Sequence, residues 1–170
     1  MFARARKTPA VMDIALRYNP DIGGLDISLD GADLLGEDTL TTAVMMSLLC
    51  DRLAQPGEVP DGTDPRGWWA DAYAEPAGDQ TGSRLWLIER EKQLPAVVQR
   101  ARRYVQEALQ WIVDDGLAKR LAVTAFVPQT GWLVVDAVLE LDGESRRYRF
   151  AWDDTAQVWR LQGEGFEVVA

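Results

Sequence analysis

Apolar and polar residues alternate twice near the start of the chain. Ile14, Leu16 and Tyr18 alternate with Asp13, Ala15 and Arg17, and Leu25, Ile27 and Leu29 repeat the pattern, so two short strands are expected. Between them residues 19–24 are rich in Asn, Pro, Asp and Gly, the composition of a turn, and the pair is predicted to form a hairpin. The period then changes. Leu40, Val44, Leu48 and Leu49 recur at helical spacing, with Asp38 as N-cap, and predict an amphipathic first helix reaching about Leu53.

From Ala54 to Gly82 the periodicity dissolves into Pro, Gly, Asp and Thr, a connection longer than the ~12 to 15 residues that compact domains usually allow. It contains Arg66, Gly67, Trp68, Trp69, Ala70, Asp71, Ala72 and Tyr73. Large aromatics are costly to leave in water, so they either pin the loop on its own core or wait for a partner. Trp and Arg together are the residue types that dominate interface hot spots. Ser83 then caps a short helix over residues 84–92, and Pro95 opens a longer one whose stripe is Val98, Ala101, Val105, Ala108, Leu109 and Ile112, ended by Gly116. On this second helix Arg100 and Arg103 project together, and Arg103 pairs with Glu107 at i,i+4.

Three alternating runs follow: Leu121, Val123, Ala125 and Val127; Leu133, Val135, Ala137, Leu139 and Leu141; and Tyr148, Phe150 and Trp152. Turns at residues 129–131 and at Asp142 with Gly143 make them an antiparallel meander. A last pair, residues 157–161 and 166–169, adds a strand or serves as a tail. The fold class is therefore α+β, an antiparallel sheet with two main helices and a C-terminal meander with an open edge. Its organisation reads as an N-terminal extension over 1–12, a single domain over 13–152 and a C-terminal β extension or tail over 153–170.

Composition narrows the chemistry. At 170 residues, with 47% hydrophobic and 26% charged positions, the chain is globular rather than disordered. A net charge of -9 repels phosphate backbones and anionic lipid, so neither nucleic acid nor membrane is an expected partner. The charge is uneven: residues 8–83 carry three basic and fourteen acidic groups, whereas 84–120 carry eight basic and five acidic. That basic block is either a solvated helix face or a dock for acidic segments. No histidine is present, which removes the commonest general base and metal ligand. The lone Cys50 reads as a structural thiol. Arg4, Arg6 and Lys7 precede no apolar stretch, so neither a signal peptide nor an anchor is expected. A Gly-rich phosphate loop, a nucleophile elbow and a metal-binding Cys pair are all missing from the pattern, and the Asp pairs sit at turns. No catalytic residue, metal ligand or cofactor is expected.

The segment order carries a resemblance. A strand pair, a helix ending near Asp51 and Arg52, the Arg66-Gly67-Trp68-Trp69 loop, and Gly82-Ser83-Arg84-Leu85-Trp86-Leu87 with Arg90 and Lys92 together resemble the small baseplate wedge family of Mu-like contractile-tail phages, over roughly Asp13 to Leu141. Relatives in other contractile machines are sometimes labelled lysozyme-like although regarded as structural. They carry a Gly-Glu-Arg or Glu-Pro-Arg signature that contacts the wedge core bundle. Here Gly57-Glu58 is followed by Val59, and Glu75-Pro76 by Ala77, so the basic member is missing from both.

The resemblance implies a non-enzymatic wedge adaptor of the virion tail baseplate, assembled in the host cytoplasm. It would join larger wedge proteins to the first ring of the tail sheath, with tail tube or hub proteins as further candidate neighbours. Arg66, Gly67, Trp68, Trp69, Tyr73, Ser83, Arg84, Trp86, Arg90, Lys92, Arg100 and Arg103 are the candidate partner-binding residues, and Leu133, Val135, Leu139, Tyr148 and Phe150 mark the strands expected to face the sheath. The alternatives from other classes are a peptidoglycan-degrading, lysozyme-like tail enzyme and a small regulatory binding module with a concave apolar pocket.

Overall fold

The computed structural model describes residues 13–19, 22, 24–37, 40–75, 77–89, 91, 95–155 and 158–167. The chain divides into two units, Met1–Val44 and Met45–Ala170.

The first unit is organised by a ring of three backbone hydrogen bonds. Ala15 N–H donates to the Leu35 carbonyl at 2.8 Å, Leu35 N–H to the Ser28 carbonyl at 2.8 Å, and Ser28 N–H to the Ala15 carbonyl at 3.1 Å. Around it lie six short strands, β1 (Asp13–Ile14), β2 (Leu16–Asn19), β3 (Gly24–Ile27), β4 (Leu29–Asp30), β5 (Asp33–Leu34) and β6 (Gly36–Glu37). They pair antiparallel as β1 with β6, β2 with β3 and β4 with β5, three arms leaving one hub. The expected hairpin is the β2–β3 arm; the other two escaped the alternation because their strands are two residues long. Ala15 at the hub is fully buried, whereas Ile27 and Leu29 lie exposed on the arms.

Helix α1 (Thr41–Leu49) stops short of the expected Leu53, and Asp38 lies outside the described residues. The helix ends early because the segment after it is wanted as a strand-like rung. Asp51 forms a parallel bridge with Ser83, Arg52 N–H donates to the Ser83 carbonyl and Ser83 N–H to the Cys50 carbonyl, both at 2.9 Å. Nor is the helix amphipathic: Thr41, Thr42, Val44, Met45 and Leu48 are all buried, and Met46 is its one exposed residue.

The second unit holds the main core. Helix α2 (Pro95–Asp114) buries Val97, Ala101, Tyr104, Val105, Ala108, Leu109 and Ile112 along one stripe. Its end is a Schellman motif: Leu117 N–H returns to the Ile112 carbonyl and Gly116 N–H to Val113, with Gly116 at φ 74°. The sheet comprises β7 (Arg120–Gln129), β8 (Trp132–Glu140), β9 (Ser145–Asp153) and β10 (Val158–Glu167), in the order β10-β9-β8-β7 and antiparallel throughout. The C-terminal run is thus a fourth strand, paired along β9.

Register puts Leu121, Val123 and Ala125 on one face with Leu133, Val135, Ala137 and Leu139 and with Tyr148, Phe150 and Trp152. This corrects one expectation. Leu133, Val135, Leu139, Tyr148 and Phe150, expected to mark sheath-facing strands, have side chains at most 2% exposed and belong to the core. They lie on the central strands β8 and β9; the edges are β7 and β10. Each such side chain contributes roughly 1.5–3 kcal/mol by leaving water. On the opposite face Asp136 and Arg149 stand directly across from one another and join through two hydrogen bonds of 2.7 Å.

Candidate functional site

Three stretches meet where the first helix ends. Residues 50–54 run between 65–67 on one side, through Ala54 N–H to the Pro65 carbonyl at 2.9 Å, and 81–83 on the other. Two glycines make the approach possible. A Cβ on Gly67 would come within 2.9 Å of the Leu53 Cβ, and one on Gly82 would overlap the Cys50 carbonyl oxygen. Both have positive φ, 99° and 89°, where L side chains are strained. Ser83 is buried between them: its hydroxyl donates to the Leu48 carbonyl at 2.7 Å and accepts from Leu85 N–H at 3.3 Å. The short helix it was expected to cap is a single 3-10 turn, Leu85–Ile88.

Arg66 has the left-handed conformation (φ 55°), which a non-glycine residue adopts at a cost; Asp64 holds it there by accepting Arg66 N–H at 2.9 Å. Its guanidinium bonds Asp51 at 2.7 Å and lies 4.4 Å over the Trp86 ring, while Trp86 Nε1–H donates to the Arg52 carbonyl at 2.9 Å. Arg66 and Trp86 therefore brace one another inside the chain rather than standing free.

Arg84, 6% exposed, lies at the centre of a buried ion cluster. One arm bonds Glu58 at 2.6 Å, the other bonds Glu107, and its plane lies 4.8 Å over Tyr104. Glu58 also accepts from Gln55 N–H at 2.8 Å and Tyr104 Oη at 3.3 Å. Burial pushes the Glu58 carboxyl up, but the hydrogen bonds from Arg84, Gln55 and Tyr104 outweigh it and hold it below the ordinary carboxylate value. The residue after Glu58 is Val59, and the cation that Glu58 meets in space is Arg84. Sequence spacing paired Glu107 with Arg103, and that contact exists at 3.9 Å, but Arg84 holds the same carboxylate more closely. Arg52, facing the cluster, is shifted down by burial and by the positive charge of Arg84, and donates to the Gln80 carbonyl. Cys50 is half-buried, its thiol pushed up by burial and by Asp51.

The aromatics of the long loop do not fold back on the core. Trp68, Trp69 and Tyr73 are 53%, 76% and 79% exposed, and the 3-10 turn Trp69–Tyr73 buries none of its residues. Their rings form an edge-to-face ladder, with centroids 6.1 Å apart between Trp68 and Trp69 and 6.4 Å between Trp69 and Tyr73. Two grooves flank it. One runs between Leu53, Trp68, Trp69, Asp71 and Asp79; the other lies between Trp68, Met46, Cys50 and Thr81. Asp71 fixes the far wall by accepting Thr81 N–H at both oxygens, 3.2 Å each.

The expected partner-binding residues therefore separate. Trp68, Trp69 and Tyr73 form an open surface, and Arg66, Gly67, Ser83, Arg84 and Trp86 build the platform beneath it. Arg100 is paired with Glu91, and Arg103 is exposed on α2. Arg90 and Lys92 lie outside the described residues. Sequence reasoning missed Glu58 and Tyr104 as members of the Arg84 cluster and Asp51 as the partner of Arg66; the one signal was an acid in a Gly57-Glu58 pair inside a loop that otherwise looked like solvent. Among the described residues there is no group of three or more His, Cys, Asp or Glu able to hold a metal ion, and no helix long and apolar enough to cross a membrane.

A family model described as phage protein GP46 matches residues 40–146, which spans α1, both motif loops, α2 and the first strands of the sheet. The Mu-like prophage FluMu protein gp46 of Haemophilus influenzae is 42% identical over 143 residues, 82% of this chain and 97% of that one. Baseplate protein gp46 of Escherichia phage Mu is 44% identical over 141 residues, 81% of this chain and 94% of that one. No solved structure matches. On the strength of this identity along most of both chains, the protein belongs to the GP46 phage protein family.

Proposed function

We propose that the chain is a structural, non-enzymatic component of a phage tail baseplate, a wedge adaptor that joins larger wedge proteins to the first ring of the contractile sheath and takes part in tail assembly. The observation that carries this reading is the exposed Trp68–Trp69–Tyr73 ladder on a platform fixed by ions and close backbone contacts. Exposed indoles on a rigid base are the mark of an interface, since they lose little freedom when covered. The relative in phage Mu is named a baseplate protein, and the match runs through every residue of the ladder. In this role the chain works in the virion tail, where its neighbours are proteins rather than nucleic acid or lipid.

The sheath contact is assigned to the sheet margin by strand addition, not to the buried β8 and β9 side chains. Of the two margins, β7 is obstructed: Arg102 Nε–H donates to the Val123 carbonyl at 2.9 Å, Pro128 lies in the strand, and its register shifts between Phe126 and Gln129. The β10 margin shifts register as well, between Leu161 and Gly163, but contains no proline, and is the better template.

Replacing Trp68 and Trp69 together by Ala tests the reading. The double variant is expected to remain a folded monomer and to lose copurification with wedge proteins; an unfolded product, or undiminished copurification, overturns it. Digestion of cell walls by the purified chain would favour the lysozyme-like alternative.

A further inference from the structure

The loop that presents the aromatic ladder is also strongly acidic. Between Ala54 and Gly82 there are six carboxylates, Glu58, Asp61, Asp64, Asp71, Glu75 and Asp79, and one guanidinium, Arg66. That guanidinium is already neutralised at 2.7 Å by Asp51 and stacked on Trp86. The groove beside Trp69 is therefore lined by indole and by Asp71 and Asp79; its one described lining cation, Arg66, is paired with Asp51, and Arg52 lies near enough to both aspartates to feel their charge. We propose that this groove receives a basic segment of a neighbouring tail protein, an extended stretch bearing Arg or Lys whose cation lies over the Trp69 ring and pairs with Asp79. The inference rests on the baseplate reading and specifies the chemistry of the partner at the ladder.

Two arguments select a basic occupant over an apolar or acidic one. The first is charge. An acidic segment would face like charges, and a purely apolar one would strip water from Asp79 without replacing it. A guanidinium or ammonium satisfies both walls at once, because it is attracted to the face of an indole and to a carboxylate. The second is an example within the chain itself. Arg66 lies 4.4 Å over one tryptophan while bonding an aspartate at 2.7 Å, which is the arrangement proposed for the partner's cation between Trp69 and Asp79. The internal site is filled by the chain's own arginine, whereas Trp69 and Asp79 line one groove and are both exposed.

The experiment uses assembled tails. A photocrosslinking residue is placed beside the groove, Ala72→p-benzoyl-phenylalanine, and Asp79→Lys is made separately, each in the full chain during phage production. Incorporation into purified tails is measured first. The expected result is that the Ala72 variant enters tails and crosslinks to a segment in which basic residues outnumber acidic ones. Asp79→Lys is expected to lower incorporation at least tenfold, and a compensating Lys→Glu or Arg→Glu in the crosslinked segment to restore it. A chain that enters tails but crosslinks to an acidic or neutral segment, or to nothing, overturns the inference and leaves the baseplate reading intact. So does full incorporation of Asp79→Lys. If the unaltered chain is absent from purified tails, the baseplate reading itself is overturned.

Discussion

Arg84 and Glu58, 26 positions apart in sequence, meet at 2.6 Å, and the contact is largely shielded from solvent. It ties the acidic loop to the platform under the aromatic ladder. Replacing Arg84 by Leu leaves Glu58 and Glu107 without their shared cation, and since both carboxylates keep access to water, 22% and 37% exposed, the loss is about 1–2 kcal/mol. Urea unfolding is expected to show a midpoint lowered to match. Arg84→Lys should recover only part of it, since an ammonium cannot bond both carboxylates in the plane that stacks on Tyr104. A midpoint unchanged in the Leu variant would mean that the cluster is decorative.

The same cluster predicts an acid-sensitive step. Glu58 has a folded-state carboxyl below its unfolded value, so its contribution is complete above the ordinary carboxylate pKa of about 4.3 and is lost as pH falls through the depressed folded value. Stability measured between about pH 6 and pH 3 should therefore fall less steeply in Glu58→Gln than in the unaltered chain, with the two curves converging at the acid end. An equal slope in both would show that Glu58 does not gain from its partners.

Glycines at positive φ divide into two classes. A side chain on Gly82 would overlap the Cys50 carbonyl, whereas Gly57, at φ 86°, has nothing within 4 Å of the position a Cβ would take. Gly57→Ala should cost only the conformational penalty of about 1 kcal/mol, read as a small drop in melting temperature. Gly82→Ala must also push the 50–54 rung away from 81–83, and is expected to cost at least about 3 kcal/mol in the same measurement. Equal losses would remove the close-approach argument.

Truncating Tyr73 to Ala should leave stability within about 0.5 kcal/mol, because the ring is exposed and its loss opens no cavity. Incorporation into tails should nonetheless fall. If calorimetry instead showed a large loss of stability, the ladder would be serving the fold and not a partner.

Much of this architecture can be read from periodicity. Helix α2 and the meander are long, regular and punctuated by Pro95, Gly116, Gly131 and Gly143, so alternation and helical spacing locate them without tertiary knowledge. The ends of α1 and the three-armed unit are not legible in that way. Leu49–Leu53 continues a helical-looking run, and the backbones of Pro65 and Ser83, far along the chain, draw residues 50–54 out of it. Alternation also tells which side chains of β8 and β9 share a face but not whether that face is open, which is why Val135 and Phe150 looked like contact residues and proved to be core. For the site, the residue types at Trp68, Trp69 and Tyr73 left open whether they pin the loop or wait for a partner, and it took their exposure to show that they do not pack on the core, while the Arg84 cluster depended on contacts spanning 23 and 26 positions that no local pattern encodes.

The hub at Ala15, Ser28 and Leu35 is closed by main-chain atoms alone. Its shape asks almost nothing of the side chains on its arms, apart from a small one at Ala15. The family model begins at residue 40, just past the last arm. A scaffold held in this way keeps its three arms in place through main-chain bonds, so a polar residue at an exposed arm position such as Leu29 would leave their geometry intact.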